Sequence, residues 1–145
     1  MPRRKRERDP AHAVHLVDTN ILIRYVIGDD PPKAERARSL MARIARGEET
    51  VRIPIEVVTE SVWTLEKRYQ VPRPDIAARL RVLFARPGVL VGSAPLVDGA
   101  LELYGRHHID FVDCLLAARS RLSGIPVYSF DRTDFKKLAV DWESP

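Results

Sequence analysis

Four acidic side chains occupy positions where an α/β fold gathers its ligands. Asp18 and Asp131 each follow a short, mostly apolar segment, whereas Glu60 and Asp113 lie early in amphipathic segments with helical spacing. The carboxyl ends of parallel strands share one edge of a sheet, and ligands bind at that edge. Clustered carboxylates raise one another's pKa unless a cation neutralises them. The four acids therefore predict a divalent-metal site.

The elements that must position these acids follow from the apolar periodicity. Short apolar segments predict a buried strand at 15–17, strands at 51–55, 89–91 and 127–130, and an edge strand at 139–142. Apolar residues at helical spacing predict helices at 21–27, 33–46, 56–69 and 75–85, one helix on either side of a surface loop at 107–108, and a turn or short helix at 134–138. Strands separated by helices indicate an α/β fold: a three-layer α/β/α domain with a mostly parallel, four- to five-stranded sheet and helices on both faces.

Composition is typical of one globular domain. The chain has 145 residues, of which 45% are hydrophobic and 30% charged. The single cysteine, Cys114, excludes an internal disulfide and indicates a reducing cytoplasm. We expect its thiol to be a small buried apolar group. No apolar run approaches the roughly 20 residues that span a bilayer, so no membrane association is expected.

The basic residues are concentrated at the N-terminus. Five of the 24 Lys and Arg residues lie between positions 3 and 8, and the segment that follows lacks the apolar core of a secretory signal. We expect residues 1–12 to form a disordered basic tail and residues 13–145 to form the folded domain. The remaining chain is nearly neutral, so the net charge of +4 supports a polyanionic partner only weakly.

Each acid also has a purely structural explanation. Asp18 is the first of three consecutive residues that can cap a helix, and a carboxylate there also complements the helix dipole. Asp110 and Asp113 have the spacing of a capping box, and Asp131 and Asp134 repeat that spacing. Taken singly, each of these acids is explained better by helix capping than by metal ligation.

Glu60 is an exception, because it lies within a helix. It points away from the apolar stripe of that helix, on a side that Glu56 shares. A solvated face and a metal cleft would both produce this pattern, so the periodicity leaves Glu56 as a competing ligand.

Arg24 is open to two interpretations as well, a phosphate contact or a surface ion pair. Phosphate-loop, dinucleotide, zinc and nucleophile-elbow motifs are absent from the sequence.

Four segments together resemble PIN-domain ribonucleases, especially toxins of the VapC type. They are LVDTNILIRY (16–25), EVVTESVWTL (56–65), DFVDCLLAA (110–118) and YSFDRTDF (128–135). The similarity follows the family's order from about residue 14 to the C-terminus and does not include the basic tail. The resemblance implies a PIN-like α/β/α fold, and it favours Glu60 over Glu56.

The same resemblance implies roles for individual residues. The catalytic and metal-ligating acids would be Asp18, Glu60, Asp113 and Asp131. Nearby positions that would support the site are Thr19, Asn20, Asp110 and Asp134. The implied cofactor is Mg²⁺, with Mn²⁺ as a substitute, in a site for one or two ions. Hard oxygen ligands suit these ions.

The implied function is metal-dependent cleavage of RNA by the toxin of a VapBC-type toxin–antitoxin pair. Such a protein would form a homodimer, and a small antitoxin would wrap around it and obstruct the acidic cleft. Two other hypotheses stay open. One is a catalytically weak PIN-like module that binds nucleic acid or mediates assembly, and the other is a phosphomonoesterase with the same metal chemistry.

Overall fold

The computed structural model of the protein describes residues 14–145. The predicted tail at 1–12 lies outside the described residues, and the division of the chain into tail and domain stays a prediction. In chain order the elements are β1 (Val14–Leu16), α1 (Thr19–Ile27), α2 (Pro31–Ala45), β2 (Thr50–Ile53), α3 (Ile55–Lys67), α4 (Arg73–Phe84), β3 (Val89–Val91), α5 (Ala94–Arg106), α6 (Phe111–Ser123), β4 (Val127–Tyr128), α7 (Arg132–Lys137) and β5 (Trp142–Glu143).

The strand pairs of the described chain are all parallel, which confirms the α/β class and the mostly parallel sheet. They are divided between a three-stranded sheet in the order β1-β2-β3 and a two-stranded sheet of β4 and β5. A single sheet of four or five strands was expected. The division arises because β4 has two residues and pairs with β5, whereas β1 pairs only with β2.

The position of β1 corrects the prediction of a buried strand at 15–17. All three residues of β1 are exposed, and Leu16 is exposed to 72%. Only Val17, directly after the strand, is buried. β1 also lies at an edge of its sheet. An apolar tripeptide cannot distinguish an edge strand from a central one.

The helices begin and end close to the predicted positions. Gly28 and Gly124 close α1 and α6 in the left-handed conformation, with φ of 75° and 72°. The turn expected at 29–32 is instead the start of α2, because Asp30 caps that helix and Pro31 and Pro32 fill its first positions. The predicted α2 therefore began two residues too late.

The hydrophobic core lies where the inner helix faces meet the strands. Its largest fully buried side chains include Tyr104, Phe135, Leu22, Ile53, Leu65, Ile76, Leu80, Leu96, Leu101 and Leu138. Cys114 is fully buried among them, as predicted, and burial raises the pKa of its thiol to about 12. Between Val14 and Pro145, no helix is both long enough and apolar enough to cross a membrane.

Candidate active site

Asp18 is the N-cap of α1, as its helix-capping interpretation predicted. Its backbone is extended, with φ −89° and ψ 161°, and its Oδ1 accepts a hydrogen bond of 2.6 Å from the backbone N–H of Asn20. The cap uses one carboxylate oxygen and leaves Oδ2 for another ligand. Capping and metal ligation are therefore compatible at this residue.

Glu60 is joined to the first residue of α1 by a side-chain hydrogen bond. Thr19 Oγ1 donates to Glu60 Oε2 at 2.8 Å, across 41 positions of sequence. Because Thr19 directly follows Asp18, this bond brings α3 and its glutamate to the helix end that Asp18 caps. Glu56 and Glu60 line the same cleft, so the choice between them stays a prediction.

Asp113 occupies the third position of α6 and is surrounded by like charges. Burial raises the pKa of its carboxyl, and the nearby carboxylates of Asp110, Asp134 and Asp131 raise it further. The acids that follow β4 and those that begin α6 are therefore near enough to influence one another electrostatically. The ionised form of Asp113 is destabilised in this arrangement.

Asp131 caps α7, whereas Asp110 does not cap α6 by its side chain. Asp131 Oδ1 accepts hydrogen bonds from the backbone N–H groups of Thr133 and Asp134, at 3.0 and 3.1 Å. Asp110 has the N-cap position and an extended backbone but no cap hydrogen bond, so the predicted capping box is wrong there. Its carboxylate lies 3.7 Å from Arg73 Nη2, and this attraction competes with capping.

Glu60 and Asp113 face adjoining clefts along one groove between α3 and α6. Glu60 lines a cleft of about 640 Å³ and Asp113 lines one of about 320 Å³. The two clefts share three wall residues, which are Thr59, Trp63 and Val112. The side chain of Trp63 is exposed to 62% at their junction. We call this the α3–α6 groove, and it places the two acids on the same side of the molecule.

The donor set fits a hard divalent cation in its chemistry. It consists of carboxylate oxygens, which Mg²⁺ and Mn²⁺ prefer, and a cation would relieve the repulsion around Asp113. Among residues 14–145, however, no three acidic, histidine or cysteine side chains converge closely enough to hold one ion. Binding would therefore require carboxylate side chains to turn toward one another.

Arg24 forms the ion pair that was one of its two predicted roles. Its Nη1 lies 2.6 Å from Asp29 Oδ1, and the same nitrogen donates to Tyr69 Oη at 3.1 Å. His107 and His108 lie in the loop between α5 and α6, as predicted.

The sequence interpretation missed a cluster directly beside the acids. Arg73 pairs with Glu66 at 3.0 Å and lies over the ring of the buried Tyr104, 4.7 Å from its centroid. We call these three residues the Arg73 cluster. The helix predicted at 75–85 did not include Arg73, which is the first residue of α4 in the structure.

Comparison with known proteins identifies the family of this chain. The PIN domain family model matches residues 15–141. The VapC ribonuclease of Aquifex aeolicus (strain VF5) is 30% identical over 131 residues, which is 90% of this chain and 96% of that protein.

A solved structure is also similar in part. It is the crystal structure of VapBC2 from Rickettsia felis bound to a DNA fragment from their promoter, which covers 92% of this chain and 99% of its own chain at 16% identity, with a TM-score of 0.36. At that score the likeness carries no argument about this molecule. The family model and the Aquifex relative, by contrast, each span most of the chain. The resemblance to VapC-type proteins is thereby confirmed, and the chain belongs to the PIN domain family.

Proposed function

We propose that this protein is a Mg²⁺- or Mn²⁺-dependent endoribonuclease and the toxin of a VapBC-type pair. The observation that carries the proposal is the placement of Glu60 and Asp113 along the α3–α6 groove, with Thr19 tying Glu60 to the helix that Asp18 caps. The 30% identity to a VapC ribonuclease supports the same activity. The substrate would be a phosphodiester bond of RNA.

Individual acids would divide the work as follows. Asp18 and Asp113 would be the central ligands, Asp131 a further ligand, and Glu60 a ligand or the base that orients the attacking water. A divalent ion, when bound, polarises the phosphoryl oxygen and lowers the pKa of its water. Thr19 holds Glu60 by Oε2 alone, so Oε1 would be free to accept a proton from an attacking water. The α6 helix keeps Asp113 fixed relative to Asp110.

The proposed partners follow from the family and from the exposed surface. A small antitoxin would bind over the acidic groove in the cytoplasm. A homodimer that leaves Glu60 and Asp113 open to RNA is supported by the exposed apolar side chains beside these acids, which are Trp63, Val112 and Leu116. Contiguous apolar surface of this kind is commonly covered by a protein partner.

A matched pair of variants tests the nuclease activity. Purified protein is incubated with structured RNA and Mg²⁺ or Mn²⁺, beside Asp18→Asn and the control Asp75→Asn, an exposed acid in the first turn of α4. We expect wild type and Asp75→Asn to cleave the RNA, and Asp18→Asn or added EDTA to reduce cleavage by about 100-fold or more. Cleavage that ignores EDTA and survives Asp18→Asn would overturn the proposal.

The same preparation separates the competing hypotheses. RNA that is retained without being cleaved, and released when residues 1–10 are deleted, would favour the nucleic-acid-binding module. Hydrolysis of a small phosphate monoester with no cleavage of an RNA oligonucleotide would favour the phosphomonoesterase. The toxin role is tested by growth arrest on induction and its reversal by co-expression of a short neighbouring reading frame.

A further inference from the structure

The Arg73 cluster lies immediately behind the acidic site and has no assigned role. The Arg73 side chain is only 11% exposed and that of Glu66 18%, so neither offers much surface to RNA. We propose that Arg73 is a positioning residue for the nuclease site. Its guanidinium holds the loop before α6 against α3 and so determines the position of Asp113. This inference rests on the proposed function, because it assigns Arg73 to the same site.

On the α3 side, Arg73 is held by a carboxylate that uses both of its oxygens. Arg73 Nε and Nη2 lie 3.0 Å from Glu66 Oε1, and Tyr104 Oη donates to Glu66 Oε2 at 2.9 Å. Burial alone would raise the pKa of Glu66, but the hydrogen bonds from Tyr104 and Arg73 lower it overall. Glu66 therefore remains ionised, and α3 presents a fixed anion to the guanidinium.

On the α6 side, the same guanidinium reaches the loop that leads into the helix. Arg73 Nη1 donates to the backbone carbonyls of His107, at 3.4 Å, and Ile109. Its Nη2 lies 3.7 Å from Asp110 Oδ1. Phe111 then begins α6, so Asp113 is connected to this anchored loop by one turn of helix. A displacement of the loop would move Asp113 with it.

The shape of the side chain explains why an arginine is required. A guanidinium is a planar fork with five donors, so it can bind an anion on one side and carbonyl oxygens on another. The Arg73 guanidinium joins α3, which carries Glu60, to the start of α6, which carries Asp113. A lysine would restore the charge beside Glu66 but could not hold both sides with the same geometry.

The reactivity of Cys114 can be used to measure the opening of this loop. Cys114 is the only cysteine, is fully buried, and its Sγ lies 3.8 Å from the Ile109 carbonyl that Arg73 also binds. Its reaction with a thiol reagent under native conditions therefore measures how often the start of α6 opens. This readout needs neither metal nor RNA.

The experiment compares Arg73→Ala and Arg73→Lys with Arg81→Ala. Arg81 lies on the same helix and is ion-paired to Asp98 of α5, 2.7 Å away and outside the acidic site, so it controls for the loss of an ion-paired arginine. We expect both Arg73 variants to weaken Mn²⁺ binding, measured by calorimetry without RNA, by roughly 10- to 100-fold. Cys114 should also react faster in both variants, whereas Arg81→Ala should leave both quantities at the wild-type value.

The outcomes separate this inference from the proposed function. Mn²⁺ affinity and Cys114 reactivity that match wild type in Arg73→Lys would show that charge alone suffices and would overturn the positioning role. Equal changes in Arg81→Ala would overturn it too. If wild type binds no Mn²⁺, the metal-dependent function fails, and the Cys114 rates alone then decide for or against Arg73. Should Arg73→Ala not fold, Arg73→Lys provides the comparison.

Discussion

At the residue scale, Asp18 and Asp131 each cap a helix with a carboxylate that we also propose as a metal ligand. In both residues Oδ1 accepts the backbone hydrogen bonds of a helix start, and the cap leaves Oδ2 unused. An asparagine side chain keeps an acceptor oxygen but loses the negative charge. Helix capping and metal ligation can therefore be separated by the choice of substitution.

We expect Asp18→Asn and Asp18→Ala to differ in stability but not in activity. Asparagine caps a helix about as well as aspartate, whereas alanine at an N-cap costs about 1 kcal/mol. Urea unfolding should therefore place Asp18→Asn near wild type and Asp18→Ala about 1 kcal/mol lower in the free energy of unfolding. Both variants should lose RNA cleavage. An alanine variant as stable as wild type would show that the cap contributes nothing.

Asp113 predicts a pH dependence of stability with a defined sign. Its pKa is raised in the folded protein by burial and by three neighbouring carboxylates, so the folded state binds its proton more tightly than the unfolded state does. Stability attributable to Asp113 is therefore present below the unfolded pKa of about 3.9 and is lost as the pH rises through the folded pKa. At pH 7 the ionised group destabilises the fold.

We therefore expect Asp113→Asn to be more stable than wild type at pH 7 without metal, and this gain to shrink toward pH 4. Mg²⁺ should raise the unfolding temperature of wild type more than that of the variant, because a ligand of the folded state stabilises it by mass action. Thermal unfolding at both pH values, with Mg²⁺ or EDTA, measures this. A variant less stable than wild type at pH 7 would contradict the electrostatic argument.

At the element scale, α5 carries two glycines whose surroundings differ. A Cβ built at Gly105 would lie 2.9 Å from Ala77 Cβ, too close for α4 and α5 to keep their packing. A Cβ at Gly99 would lie 3.7 Å from Ala118 Cβ, an ordinary contact. The close approach of α4 to α5 therefore depends on Gly105 and not on Gly99.

We expect Gly99→Ala to stabilise the protein by roughly 0.5–1 kcal/mol, because alanine favours the helix over glycine. Gly105→Ala should destabilise it despite the same gain, since overpacking costs about 1–3 kcal/mol. Chemical unfolding of the two variants provides an internal comparison within one helix. Equal and positive changes in both would show that α4 moves aside at no cost.

A helix or strand was predictable where the spacing of apolar residues within that segment was enough to define it. The spacing of apolar residues placed α3 at 56–69 against Ile55–Lys67 observed, and β3 at 89–91 as observed. The burial of β1 was not predictable, because three residues carry no information about which strands lie beside them. The pairing of β4 with β5 rests on two residues in each strand and left no pattern to detect.

The local positions of the candidate residues were predictable, but the contacts between them were not. Strand ends and helix starts placed Asp18, Asp113 and Asp131 correctly, because caps and turns are short-range features. The Thr19–Glu60 hydrogen bond joins positions 41 apart, and the bonds from Arg73 to the loop carbonyls span 34 and 36 positions. Contacts at such distances depend on the whole packing arrangement. Arg73 was missed for that reason.

At the scale of the whole molecule, the exposed apolar side chains beside the α3–α6 groove, Trp63, Val112 and Leu116, predict how two copies would meet, with Glu60 and Asp113 left open to RNA. A two-fold interface buries the same apolar patch from each copy, so one substitution changes both sides of the interface. We expect Leu116→Asp to weaken the dimer by at least tenfold in Kd, about 1.4 kcal/mol. Leu122→Asp, exposed on the same helix but outside the groove, should leave the dimer intact. Sedimentation across a concentration series measures both.

A monomeric wild type would contradict the dimer directly, and equal weakening by the two leucine variants would place the interface elsewhere on α6. Either result leaves the arrangement of the acids unaffected, because the contacts that hold Glu60 and cap α1 lie within one chain.

The capping role of the acids has a genetic consequence. The codons of aspartate and asparagine differ by a single change of the first base, from G to A. At Asp18 or Asp131 that change keeps the oxygen that caps the helix and removes the charge that the proposed chemistry needs. If the protein is the proposed toxin, a cell would have a one-step route to a full-length, folded and inactive copy, which would still bind the proposed antitoxin.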